Sequence, residues 1–188
     1  MRVRSLPLQV RWVAVVAMLV SGTVLSAAES GLKAVCQVRP TKGNQCRGVV
    51  IFQQTRDGKI RVTARIRGLN PGKKHAIHIH QFGDCRDLAG KSAGGHYNPA
   101  EKPHGLPPAA ERHAGDLGNL EADDNGMAKY TIVVDNISLG GENSVLGRAI
   151  VVHALPDDGG QPTGNAGARI GCGVIGIANP EWKPMKKK

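Results

Sequence analysis

Aromatic side chains are scarce: two Trp, two Tyr and two Phe make up 3% of 188 residues. A core built from this chain has to be filled by Val, Ile, Leu and Ala. Helical periodicity is also missing, except for at most a turn near 107–114 (PPAAERHA), which argues against a helical bundle or an alternating α/β fold. No C-x-x-C pair occurs. The one apolar run of note, Trp12 to Val20, is shorter than the roughly 20 residues that cross a bilayer. Nothing after it approaches that length, so the mature chain is expected to be soluble. Neither an internal repeat nor an interdomain linker is visible.

The N-terminus is rich where the rest is poor. Arginines at 2, 4 and 11, the apolar run, and small residues at Ser26 and Ala28 follow the three-part plan of a secretory signal peptide. Residues 1–28 are predicted to be removed, 29–178 to form one domain, and 179–188 to form a basic tail with Lys183, Lys186, Lys187 and Lys188. Cleavage takes three arginines and no acid from 25 basic and 15 acidic residues, which leaves a net charge of +7. The expected location is exported, periplasmic or extracellular, where disulfides persist. Cys36, Cys46, Cys85 and Cys172 allow three complete pairings, and the residues alone do not choose among them.

The mature chain alternates apolar and polar residues in short runs. In IRVTARIR, Ile60, Val62, Ala64 and Ile66 share one face, while Arg61, Thr63, Arg65 and Arg67 share the other. Similar runs at 33–38, 48–54, 74–80, 116–121, 128–134, 148–153 and 173–178 bring the count to eight, with turns at Asp57-Gly58, Asn70-Pro71-Gly72 and Asn125-Gly126. This pattern predicts an all-β, eight-stranded antiparallel Greek-key sandwich or barrel. Segments 81–114 and 155–172 break the rhythm. Both follow a histidine-bearing strand, and connections of such length are usually functional.

The histidines are concentrated around those segments. His78 and His80, two apart on a strand, project from one face, whereas His75 projects from the other and is expected to be structural. His96, His104, His113, Asp116 and His153 lie where loops begin or end. Six imidazoles and a carboxylate exceed one tetrahedral site, so two adjacent metals sharing a ligand account for them better. A histidine can bridge when both ring nitrogens are metal-bound.

Taken together, HIHQFGDC, KSAGGHYNP, ERHAGDLGNL, VVHALPDD and TGNAGARIGCGVIGIA resemble the copper,zinc superoxide dismutases in order and nearly in spacing, over residues 32–178. The resemblance implies copper on His78, His80, His96 and His153, and zinc on His96, His104, His113 and Asp116, with His96 as the bridge. It also implies that Asp157 links a copper histidine to a zinc histidine, that Arg169 orients the anionic substrate, and that Cys85 and Cys172 pair. The implied reaction is dismutation of superoxide to oxygen and hydrogen peroxide by alternate reduction and reoxidation of copper, during which His96 takes up and returns a proton.

Some features depart from the better-known eukaryotic pattern. Cys85 comes early in its loop, the segment between His153 and Thr163 is short and lacks clear counterparts of the guiding charges, and Gln81 replaces a common glutamate. A copper carrier on the same fold would be expected to expose C-x-x-C thiolates and to lack Arg169, and a purely structural sandwich to have lost ligands. SVLGR (144–148) and GVIGIA (173–178) resemble dimer-forming segments, so a homodimer is expected. A second bridge, Cys36–Cys46, stays open. No specific nucleic-acid partner is expected, and the basic tail is a candidate for binding polyanions or an anionic surface.

Overall fold

The computed structural model describes residues 32–182. The expected signal peptide, residues 1–28, and the lysines from 183 onward lie outside the described residues. Eight strands follow in order: β1 (Lys33–Pro40), β2 (Arg47–Gln54), β3 (Ile60–Arg67), β4 (Lys74–His80), β5 (Asp116–Glu121), β6 (Met127–Val134), β7 (Ala149–His153) and β8 (Arg169–Ile177). They hydrogen-bond in the order β5-β4-β7-β8-β1-β2-β3-β6, with every pair antiparallel. Edge strands β5 and β6 approach each other, so the sheet is a nearly closed Greek-key barrel. Among the described residues the only helical piece is a single 3-10 turn, Lys91–Ala93. The stretch 107–114 contributes a plain turn, in which the Ala109 N–H donates to the Leu106 carbonyl.

Alternation placed the strand faces correctly. Ile60, Val62, Ala64 and Ile66 point inward, where they join Phe52, Ile77, Ile79, Leu117, Leu120, Ile150 and Ile175 in an aliphatic core. The eighth strand departs from expectation. It starts at Arg169, not Gly173, so the second long connection is only 155–168. Gly171 falls in the expected connection and Gly173 opens the expected strand, and both are glycine because of close packing. A Cβ on Gly171 would lie 2.8 Å from Cys46 Sγ, and one on Gly173 would lie 2.4 Å from the Gln37 carbonyl oxygen.

The cysteine pairing is also decided. Cys85 and Cys172 are joined, while Cys36 and Cys46 are buried free thiols. With Val38 opposite Gly48, Cys46 lies about four residues along the strands from Cys36, roughly 13 Å. A disulfide needs Cα atoms within about 7 Å. Burial pushes both thiols up to about 12, which leaves them inert.

Candidate metal centre

The centre lies outside β4 and β7, beneath the two long connections. Strand parity sends His75, Ile77 and Ile79 toward the core, and His78 and His80 toward the loops. His75 is satisfied on both ring nitrogens: Nδ1 donates to the His153 carbonyl at 2.8 Å and Nε2 accepts from the Asn70 N–H at 3.2 Å. It behaves as the structural histidine its parity predicted.

Register breaks re-aim the ends of the strands. The β4–β5 pairing shifts between Ala76 and His78, bringing His78 opposite Asp116, and the β7–β8 pairing shifts at His153. An isolated bridge sets His80 against His96 and returns the first loop to the strand end. Two groups of potential ligand atoms result, each within 4.8 Å: His78, His80, His96 and His153 in one, and His96, His104, His113 and Asp116 in the other. Every member is buried, and His96 belongs to both. All seven residues singled out as ligands from the sequence are therefore brought together.

Outer contacts dictate which atom of each ring faces inward. His78 Nε2 and His104 Nε2 donate to the two oxygens of Asp157 at 2.8 and 2.9 Å, leaving both Nδ1 atoms as lone pairs. His80 Nδ1 donates to the Gly94 carbonyl at 2.9 Å, which leaves Nε2 facing inward, 3.4 Å from His153 Nε2. His96 Nδ1 lies 2.9 Å from Asp116 Oδ1 and 3.3 Å from His113 Nδ1, so its Nε2 is left for the other group. His78 Nδ1 and His104 Nδ1 are buried without a hydrogen-bond partner, although the latter lies 3.0 Å from Asp116 Oδ2. Converging buried nitrogen lone pairs are costly unless a cation sits among them. The donor chemistry, imidazole alone on one side and imidazole with a carboxylate on the other, fits copper and zinc respectively.

Electrostatics favour the ligating forms. Burial lowers His80 to about 2, His153 to about 3 and His78 to about 4, so the rings are neutral. Burial alone would raise Asp116 and Asp157. Hydrogen bonds outweigh it, from His96 and the Gly105 N–H to Asp116, and from His78 and His104 to Asp157, holding Asp116 low and Asp157 at about 2.

Arg169 lines a cleft of about 420 Å³ with His80, His96 and His153. Its Nη1 donates to the Gly90 carbonyl at 2.7 Å and its Nη2 to the Gly94 carbonyl at 2.6 Å. The Gly94 carbonyl thus holds both Arg169 and His80.

Several supporting residues escaped the sequence reading. Asn119 clamps Asp157 by accepting its N–H and donating to its carbonyl. Gln161 does the same for His104. Gly164 has no Cβ because one would lie 2.1 Å from Asp157 Oδ1. A lone Asn in the strand DLGNLE was the available signal for Asn119; nothing local marked Gln161. Gln81, noted as a departure, accepts the Gly95 N–H through Oε1 and so steadies the loop just before His96.

A Greek-key barrel bearing two buried histidine groups that share one ring defines a dinuclear metalloprotein. The family model for copper/zinc superoxide dismutase (SODC) matches residues 46–175. A superoxide dismutase [Cu-Zn] 3 of Arabidopsis thaliana is 46% identical over 160 residues, covering 81% of this chain and 95% of that protein. The chain belongs to the copper/zinc superoxide dismutase family and is an oxidoreductase that dismutates superoxide to oxygen and hydrogen peroxide.

Proposed function

We propose that copper is held by His78, His80, His96 and His153, and zinc by His96, His104, His113 and Asp116. The observation carrying this assignment is that His96 is common to both buried groups. Copper when bound supplies alternating one-electron oxidation and reduction; zinc supplies a fixed charge. His96 is the proton carrier. Its Nδ1 is kept in place beside Asp116 and His113, so that Nε2 can hold a proton without the ring moving away. Arg169 binds superoxide at the cleft, its guanidinium held by two backbone carbonyls beside His80. Asp157 couples the two sites through His78 and His104.

The Cys85–Cys172 bridge ties the first metal loop to β8 and suits an exported protein. Residues 1–28 act as the signal peptide, and residues 29–178 as the functional domain. The chain acts as a homodimer: Phe82, Val174 and Ile177 are exposed apolar residues, and Gly83 packs against Gly147 and Val174, which groups the two expected interface segments.

Metal analysis of the purified protein, paired with a superoxide assay on it and on His153→Ala, tests the assignment. About one copper and one zinc per chain, and a loss of at least ~10³-fold activity with copper but not zinc depleted in the variant, are expected. Equal activity without copper, or none with both metals bound, overturns it. Light scattering should give twice the chain mass, reduced to one chain by Ile177→Lys.

A further inference from the structure

We propose that the outer face of β1, β2, β3 and β6 is a docking surface for an anionic lipid bilayer. These four strands contain seven cations, Lys33, Arg39, Arg47, Arg61, Arg65, Arg67 and Lys129, and no acid. All seven are exposed. Among the described residues none takes part in an ion pair, although exposed lysines elsewhere do, such as Lys59 with Asp57 and Lys74 with Glu121.

The register concentrates charge where the protein does not neutralise it. Arg47 is directly opposite Arg67, and Arg65 directly opposite Lys129. Neighbouring strands are ~4.8 Å apart, and like charges directly opposite destabilise a sheet. Arg39 extends the Arg47–Arg67 row, while Lys33 and Arg61 occupy the other end of the face. The nearest acids lie outside the strands: Asp57, Asp123 and Asp124 in turns at the rim, and the exposed Asp135 directly after β6.

The distribution selects a surface over a thread. Cations occupy both ends and all four strands, and exposed aliphatic residues lie among them: Val49 (38%), Ile51 (41%), Met127 (46%) and Val133 (47%). A linear polyanion is matched by a stripe, and single-stranded nucleic acid by aromatic platforms. The face has no aromatic platform, since Phe52 and Tyr130 fall on inward-pointing positions, and its cations spread beyond the Arg39–Arg47–Arg67 row to Lys33 and Arg61 at the other end. A two-dimensional field of Arg and Lys around short aliphatic side chains matches headgroups with a shallow apolar layer beneath.

Two further facts agree. The chain leaves β8 at the Lys33 end of this face, where the Ala178 N–H donates to the Lys33 carbonyl, and the sequence beyond Trp182 adds lysines at 183 and 186–188. In strand order, β2 is four places from β4 and β3 four places from β7, and docking therefore leaves the metal cleft facing away from the bilayer.

The test is flotation of the purified, metal-loaded protein with phosphatidylcholine vesicles containing 30% phosphatidylglycerol. Comparison proteins are a triple variant (Arg47→Gln, Arg65→Gln, Arg67→Gln) and a chain ending at Trp182. Wild type should bind these vesicles, not pure phosphatidylcholine, and be released by high salt. The triple variant should lose roughly 10- to 100-fold in affinity while retaining its activity in solution. The truncated chain should retain the larger part of the binding. Unchanged binding by the triple variant, binding lost entirely with the tail alone, or retention on a sulfated polysaccharide with none on vesicles would overturn the proposal.

Discussion

The two halves of the barrel use one hydrogen-bonding scheme for opposite ends. In β1, β2, β3 and β6 buried residues alternate with exposed ones, so each strand has a core face and a wet face. In β4 and β7 burial is nearly continuous, because the long connections cover the outer face as well. A strand with a wet face can carry charge there. A strand covered on both faces can hold polar groups only if they are paired or ligated, and its outward histidines are fastened to Asp157, Gly94 and Gly167. Both halves share one aliphatic core, and the second depends in addition on the loops remaining in place.

That division makes the two halves separable by mutation. The largest effect is expected from replacing Cys85 and Cys172 together by Ser. Their separation of 87 residues places the loss at about 2–5 kcal/mol in denaturant unfolding. Hydrogen exchange should quicken in 81–115 and leave β2 and β3 unchanged below the unfolding threshold.

Asp157→Asn should lower metal affinity about 10- to 100-fold, measured by chelator competition, with the barrel's circular dichroism intact. The amide cannot accept hydrogen bonds from His78 and His104 at both of its ends. Ile66→Val, in the other half, should cost about 0.5–1.5 kcal/mol of stability and leave metal affinity as it was. Smallest is Arg67→Gln, expected to gain a few tenths of a kcal/mol by relieving the Arg47 pair. A loss on Arg67→Gln would mean that its charge is neutralised within the protein.

Much of this was legible beforehand for local reasons. The strands, the opposed roles of His75 and His78, and the clustering of ligands at loop ends follow from a two-residue period and from residue type. β8 starts earlier than expected because Gly171 carries no local mark distinguishing a turn from close packing, and its packed partner, Cys46, is more than 120 residues away. Asn119 and Gln161 were missed for the same reason, since each clamps a backbone far along the chain.

By itself the sequence determined an antiparallel barrel with an aliphatic core, and it contained every residue of the two ligand groups, because periodicity and side-chain chemistry are local properties. Only the tertiary structure decided which nitrogen of each ring faces inward, that Cys36 and Cys46 stay unpaired, and that seven cations share one face. Those outcomes depend on contacts such as His78 with Asp157, 79 residues apart, and His104 with the same carboxylate, 53 apart. Distance in space, set by sheet register, fixes them.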